Sequence, residues 1–455
     1  MRNRVVIWLL ALTGLLPLCV GAEEAAPRPG VIRQIDIVSL RVEPAIIRRE
    51  LAVREGDVYS PAKLDESRQN LLRLGLFKSL DTQAKWDEGL QGYRVTIKAD
   101  DGWFLLPLPM FGSRGGETFA GLMLMERNYF RMSEGLMFFG SYSKARSSIM
   151  TSFSLPQFFL MAGLQQSDLD QYEYADGAYN SKQFDDNQKP EDFGAITNQY
   201  RQHTDKATLT AGGRLTPWLR TSLGISLAQV EYTDPQPSSP DDAGNINSWI
   251  WSWRLGKEGR GDPATQGGAF GAFGRIFGLG MAGVKDSLKP LAAIETSPSL
   301  QGSLERGEPG FGSDESYTKG MLNFDQVTLF RDYSQLTVAL KGGAGEDLPP
   351  SQRLSTSQRG LLNGVYAREY RGDRIAAASA VFTRPFFRNR IGVLNAEAFG
   401  DYAVCWQHDE PGEKEGLGFN LAYRFWRFPL PIGGGATYSI DDHNWQFSFA
   451  MGGMF

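Results

Sequence analysis

Asn444-Trp445-Gln446-Phe447-Ser448-Phe449-Ala450-Met451-Gly452-Gly453-Met454-Phe455 closes the chain. Trp445, Phe447, Phe449, Met451, Gly453 and Phe455 alternate with Asn444, Gln446, Ser448, Ala450, Gly452 and Met454. Side chains of a strand point to opposite faces with period two, so this segment shows one bulky apolar face and one small or polar face. Such a strand suits lipid outside and water inside. It also ends on an aromatic residue, which a soluble domain rarely leaves exposed.

The other end of the chain agrees. Arg2 and Arg4 precede an apolar run from Val5 to Val20, and Val20-Gly21-Ala22 forms a small-residue cleavage site before Glu23. Residues 1–22 therefore read as a secretory leader and 23–30 as a linker. Removing Arg2 and Arg4 with the leader takes the net charge from −5 to −7, which argues against a nucleic-acid partner. Of the two cysteines only Cys405 then remains, so no intramolecular disulfide is expected. No later segment offers the ~20 consecutive apolar residues of a spanning helix. A mature chain that enters a membrane must do so as a closed barrel, the other architecture that satisfies every backbone polar group.

The texture from Phe104 to Phe455 fits a barrel. Leu219, Thr221, Leu223, Ile225 and Leu227 alternate with Arg220, Ser222, Gly224 and Ser226, and Leu336, Val338 and Leu340 repeat the pattern. Polar stretches at 164–204, 232–246, 285–318 and 343–372 read as long loops between such strands. At about 22 residues per strand and connection, this region predicts an antiparallel transmembrane barrel of roughly 16 strands.

Residues 31–100 read differently, as a small α+β domain in the order β-α-α-β-β. Ile35 and Ile37 alternate with polar neighbours. Ile47 and Leu51 share a face of a short helix, Ser60-Pro61 opens a second helix carrying Leu64, Leu71 and Leu72, and Tyr93, Val95 and Ile97 alternate in the last strand. Gly56-Asp57-Val58-Tyr59-Ser60, Leu64 and then Leu71-Leu72-Arg73-Leu74-Gly75-Leu76-Phe77-Lys78 resemble a POTRA domain. One POTRA followed by a barrel of this size resembles the BamA/TamA-type superfamily of outer-membrane assembly and translocation proteins. Pro107 to Gly112 and Glu126-Arg127-Asn128-Tyr129-Phe130 are similar to that family's first hairpin. Two-partner secretion transporters resemble this chain less, since they usually carry two POTRA domains and a plug helix.

The resemblance implies a long sixth external loop folded into the barrel lumen, tipped by a Val/Leu-Arg-Gly-Phe/Tyr motif. Gly345 to Pro350, Leu362-Asn363-Gly364-Val365-Tyr366 and Gly372-Asp373-Arg374 match its spacing, but Asn363 stands at the Arg position and Val365 at the aromatic one. The next strand, Val381-Phe382-Thr383, lacks the family's Glu-aromatic-Arg trio, whereas Phe399, Asp401 and Ala403 keep most of an F-x-D-x-G wall motif. Removing one partner of a buried ion pair costs about 3–5 kcal/mol, so losing both is physically easier than losing one. Asn363 and Val381 are thus expected to be a coupled loss that leaves Asp401 to Arg368, Arg371 or Arg374. The alternative reading has Tyr366-Ala367-Arg368 doing the docking.

Catalytic chemistry finds no support. His203, His408 and His443 lack metal-ligand spacing, no Gly-x-Ser-x-Gly elbow is present, and Gly115-Gly116 lacks a following phosphate-binding helix. The chain is expected to be no enzyme and to need no cofactor or metal. Asp168, Asp170, Asp185 and Asp186 read as a solvated loop rather than a cation site. The resemblance implies a monomeric barrel in the bacterial outer membrane with its POTRA domain in the periplasm. Outer-membrane lipid, lipopolysaccharide, and a client polypeptide or periplasmic partner would be its company. The POTRA edge expected to pair with clients begins at Phe77, Lys78, Ser79 and Leu80, and the barrel seam is expected to join Leu105–Phe111 to Trp445–Phe455. Three roles stand open: an insertase or translocase, a conduit for lipid, polysaccharide or a secreted protein, and a structural barrel.

Overall fold

The structure is a computed structural model, and it describes residues 30–40, 42–73, 77–101, 105–114, 117–127, 135–155, 157–180, 190–256, 294–358, 360–389, 391–407, 410–425 and 431–451. The leader, residues 23–29, Leu74-Gly75-Leu76, Gly115-Gly116, Asn128-Tyr129-Phe130, Asp185-Asp186, His408 and Gly452 to Phe455 lie outside the described residues.

The first unit runs β1 (Ile32–Val38), α1 (Pro44–Glu50), α2 (Pro61–Arg73), β2 (Phe77–Asp87) and β3 (Gly92–Asp101). β3 lies between β1 and β2, parallel to β1 and antiparallel to β2. A parallel pair needs a crossover, and the two helices lie on the connection that provides it. Ser60 accepts from the Lys63 N–H at 3.5 Å, and Pro61 occupies the first helical turn, where no donor is needed. Ser67 is buried; its hydroxyl donates to the Lys63 carbonyl at 2.8 Å and accepts from the Ala52 N–H at 2.9 Å, tying α2 to the end of α1. Ile32, Ile35, Ile47, Leu64, Leu71, Val95 and Ile97 form the core. Ile97→Ala should destabilise this domain by about 2–5 kcal/mol, the usual cost of emptying a packed aliphatic site. Protease digestion of the full chain under rising urea should then release the domain well before the barrel.

Sixteen strands close the barrel. They are β4 (Leu105–Arg114), β5 (Glu117–Arg127), β6 (Gly135–Ser143), β7 (Arg146–Ser154), β8 (Phe158–Tyr174), β9 (Ile196–Thr216), β10 (Leu219–Gln236) and β11 (Ser248–Leu255). β12 (Glu295–Gly307), β13 (Tyr317–Leu329), β14 (Gln335–Glu346), β15 (Arg374–Arg388), β16 (Gly392–Gln407), β17 (Glu410–Phe425), β18 (Ile432–Ser439) and β19 (Asn444–Met451) complete it. Every neighbouring pair is antiparallel, and β19 returns to β4. Among the described residues no helix is long and apolar enough to cross a membrane. Leu223 is 59% exposed and Ser226 only 2%, so the sequence alternation sorts lipid-facing from lumen-facing positions.

The polar stretches expected to be loops are partly strand. β8, β9 and β10 hold 17, 21 and 18 residues, running through 164–174, 196–204 and 232–236, and Glu295–Gly307 is β12. Strands that run beyond the lipid band meet water on both faces, so apolar alternation stops where pairing does not. Asp168 and Asp170 accordingly sit on β8 rather than in a loop, paired with Arg201 of β9 at 3.8 and 2.9 Å.

Candidate functional site

Because β4 leaves the POTRA domain, the connections after β4, β6, β8, β10, β12 and β14 lie at the barrel end away from it. The sixth of these, residues 347–373, folds inward. Leu354, Leu361, Leu362 and Tyr366 pack against Ile375 and Ala377 of β15 and Ala403 and Cys405 of β16. Phe399 and Asp401 share that inner face of β16 and are likewise buried.

Asp401 receives four donors from one turn of the loop. The Asn363 backbone N–H and side-chain amide each reach it at 2.9 Å, the Gly364 N–H at 2.7 Å and the Tyr366 hydroxyl at 3.1 Å. The Val365 N–H turns to Thr437 of β18 at 3.2 Å. Burial and the neighbouring Asp401 charge raise the Tyr366 phenol above its ordinary range, so it stays a donor. Glycine makes the approach possible. A Cβ at Gly416 would collide with the Tyr366 ring, one at Gly412 with Tyr370, and one at Gly372 with the Trp406 carbonyl.

This arrangement corrects the expected partner of Asp401. Arg368 binds Asp176 and approaches Asp442 at 3.8 Å, while Arg371 bonds Glu369 and, at 2.8 Å, Gln171 of β8. Arg368 and Arg371 are engaged elsewhere, Arg374 stands exposed at the start of β15, and four neutral donors serve the carboxylate in place of a guanidinium. The two readings of the docking residue also merge, since Asn363 and Tyr366 both reach the same side chain. Val381 lies on the inner face opposite Phe399 and is buried. The Asp373 N–H donates to the Trp406 carbonyl at 3.0 Å, and its carbonyl accepts from Gly345 at 2.7 Å, closing the base of the loop.

A second clamp escaped sequence reading. Tyr179 and Glu369 exchange backbone hydrogen bonds at 2.7 and 2.8 Å, and the Arg371 guanidinium lies 5.0 Å from the Tyr179 ring centre. Asp242, after β10, accepts from the Tyr232 hydroxyl at 2.7 Å and the Ser351 N–H at 2.8 Å. The loop is therefore pinned to β16 and β18 on one side and to the β8–β10 side on the other. The glycine density of 412, 416 and 418 was the available signal for the first clamp; nothing local marks the second.

The seam runs between β4 and β19, and its described pairs are Phe111–Met451, Gly112–Ala450, Ser113–Phe449 and Arg114–Ser448. Trp445 and Phe447 face lipid beyond the described end of β4, and Phe455 lies outside the described residues. In the POTRA domain β2 is an edge strand. Phe77 and Leu80 point into the core, Ser79 bonds Asp100 at 2.5 Å, and Lys78 occupies the same edge.

Residues 30–102 match the POTRA family model, described as a surface antigen variable number repeat. Comparison with curated protein sequences gives no match. Among solved structures, CdiB from Acinetobacter baumannii is similar with a TM-score of 0.55 at 14% identity, over 93% of this chain and 74% of that one. CdiB from Escherichia coli gives 0.54 at 12% identity, over 96% and 93%. BamA from Haemophilus ducreyi lacking POTRA domains 1–3 gives 0.49 at 14% identity, over 94% and 85%. At such identities the likeness is one of fold. Residues 30–102 are a POTRA domain, and the chain shares with the CdiB structures the fold of such a domain followed by a closed sixteen-stranded barrel.

Proposed function

We propose that the chain is an outer-membrane insertase or translocase that receives clients through a periplasmic POTRA domain and works without nucleotide hydrolysis. The observation that carries this reading is the edge position of β2. Its side chains at Phe77 and Leu80 complete the core, while its outer backbone edge has no partner strand among the described residues. An extended client can add to such an edge by main-chain hydrogen bonds.

A conduit is the competing reading, favoured by a luminal cavity of about 1120 Å³ lined in part by Gly121, Ser141, Ser148, Gln165 and Lys206. Depletion of the protein separates the two. An insertase predicts a fall in outer-membrane barrel proteins ahead of any change in lipid asymmetry. Normal barrel levels with disturbed lipids would overturn it.

A further inference from the structure

One row of the inner wall carries polar side chains that the fold leaves unused. Gly121 of β5, Ser141 of β6, Ser148 of β7, Gln165 of β8, Lys206 of β9 and Ala228 of β10 stand opposite one another in turn. Their sequence neighbours Leu164 and Leu227 are 61% and 44% exposed on the lipid face, so strand alternation turns the row itself to the lumen. It lines the cavity of about 1120 Å³. One row nearer the POTRA end Met123 and Phe139 are buried, and the lining stops there. At the other end the connection after β10 contributes Asn247, whose amide oxygen accepts from the Ala228 N–H at 3.3 Å and whose nitrogen donates to the Gly312 carbonyl at 2.7 Å. The row is therefore the wall of a chamber bounded at both ends, with the size and the few placed polar groups of a ligand site.

Lys206 is the cation of this chamber, and among the described residues its ammonium makes no hydrogen bond or ion pair. The carboxylate that attracts it, Glu305, is already held by Lys319 at 3.0 Å, the Tyr317 hydroxyl at 2.8 Å and the Ser248 hydroxyl at 2.9 Å. Other luminal lysines are engaged: Lys341 donates to the Leu361 carbonyl at 2.9 Å, and Lys414 binds Asp442 at 2.6 Å. A partly enclosed ammonium without a partner detracts from stability unless something completes it. Gln165, directly across the ladder from Lys206, likewise has no hydrogen-bond partner for its amide among the described residues. Ser141 and Ser148 bond each other at 2.7 Å, which uses one of their two hydroxyl protons and leaves lone pairs on both oxygens. One positive charge, one amide and a hydroxyl pair thus lie side by side on three neighbouring pairs of strands, all facing the same space.

We propose that this chamber binds an acidic oligosaccharide, with a sugar carboxylate on Lys206 and the Gln165 amide and sugar hydroxyls along Ser148 and Ser141. The chemistry of the row selects this occupant. Sugar hydroxyls donate and accept at once, as serine hydroxyls and a glutamine amide do. A single ammonium matches the single charge of a carboxylate, whereas phosphate is better served by the planar fork of arginine. Neighbouring strands lie about 4.8 Å apart, close to the length of one pyranose unit, so successive sugars can address successive strands. An acyl chain would find no apolar lining in this row, and an inorganic anion would use Lys206 without the rest of the chamber. The inference goes beyond the insertase reading and is independent of it: depletion reads barrel proteins, whereas the test below reads binding at the wall.

The test uses the full chain in detergent micelles, treated with trinitrobenzene sulfonate, and the extent of modification at each lysine is read by peptide mass spectrometry. Trigalacturonate is expected to protect Lys206 while leaving Lys63, exposed on the POTRA domain, as reactive as before. Maltotriose, which has the hydroxyls without the carboxylates, and acetate, which has the carboxylate alone, should not protect at the same concentration. K206Q should weaken binding of fluorescently end-labelled trigalacturonate, read by anisotropy, by about tenfold or more, the loss expected when a hydrogen bond between charged groups is removed. Unchanged heat-modifiable mobility on gels would certify that the variant barrel has folded. Equal protection by maltotriose or acetate, parallel protection of Lys63, or unaltered affinity in a folded K206Q barrel would each overturn the proposal. So would a Lys206 that the reagent never reaches, since the chamber would then be closed to solutes. If K206Q does not fold, the pattern of protection on the unaltered chain decides.

Discussion

Asp401→Ala should release the luminal loop and lower barrel stability by about 3–5 kcal/mol, since each buried donor left without an acceptor costs about 1–3 kcal/mol and release of the loop returns some of the four to water. The reason is the number of groups that one carboxylate serves. Two backbone N–H groups, one amide and one phenol lose their acceptor together in a turn that is closed off from water. Partial removal should cost less in proportion. Asn363→Ala keeps both backbone donors and should lose about 1.5–3 kcal/mol, the worth of one hydrogen bond to a charged group. Asp401→Asn keeps the volume but turns an amide toward the donors, so it should fall nearer to Asp401→Ala. Trypsin reads the outcome directly, because Arg368 and Arg371 are shielded while the loop is docked. Rapid cleavage there in Asp401→Ala, with the midpoint of heat-modifiability falling in parallel, is the expected result. Protection equal to the unaltered chain would remove Asp401 from its role as the latch.

How much of this was legible in the sequence varies with the kind of interaction. The POTRA helices and strands were legible because each rests on local signals: the Ser60-Pro61 start, the leucines of α2, the alternation of Tyr93, Val95 and Ile97. Asp401 was legible as part of a wall motif. Its partner was not, because two of the four donors are backbone N–H groups, which every residue but proline has and no side-chain pattern reveals. Assigning it an arginine failed for a related reason. Arg368 has its acceptor at Asp176, nearly two hundred positions away, and Arg371 adds to its neighbour Glu369 the equally distant Gln171, which only the closed barrel brings near. The lengths of β8, β9 and β10 were hidden because alternation records lipid contact rather than hydrogen-bonded pairing.

A disulfide across that seam should block client insertion while leaving the barrel folded. Ser113 and Phe449 face each other in the described register, and facing residues of an antiparallel pair stand about 4.5–5.5 Å apart at Cα, within disulfide reach. Ser113→Cys with Phe449→Cys should therefore close on oxidation without moving the backbone. The argument for a large effect is topological. β19 and β4 are the last and first strands of the barrel, so their junction is the one place where neighbouring strands are not also joined in sequence. Pro107 and Pro109 lower the donor count of β4, since neither has an N–H to give. Oxidation should thus abolish insertion of a reconstituted client barrel, and reductant should restore it, with each single-cysteine variant behaving like the unaltered chain. The same lock tells an inserting barrel from a conduit, because a cargo that travels through the lumen is indifferent to the seam. Client insertion that persists in a fully oxidised double variant would mean that the ladder between β19 and β4 closes the barrel and nothing more.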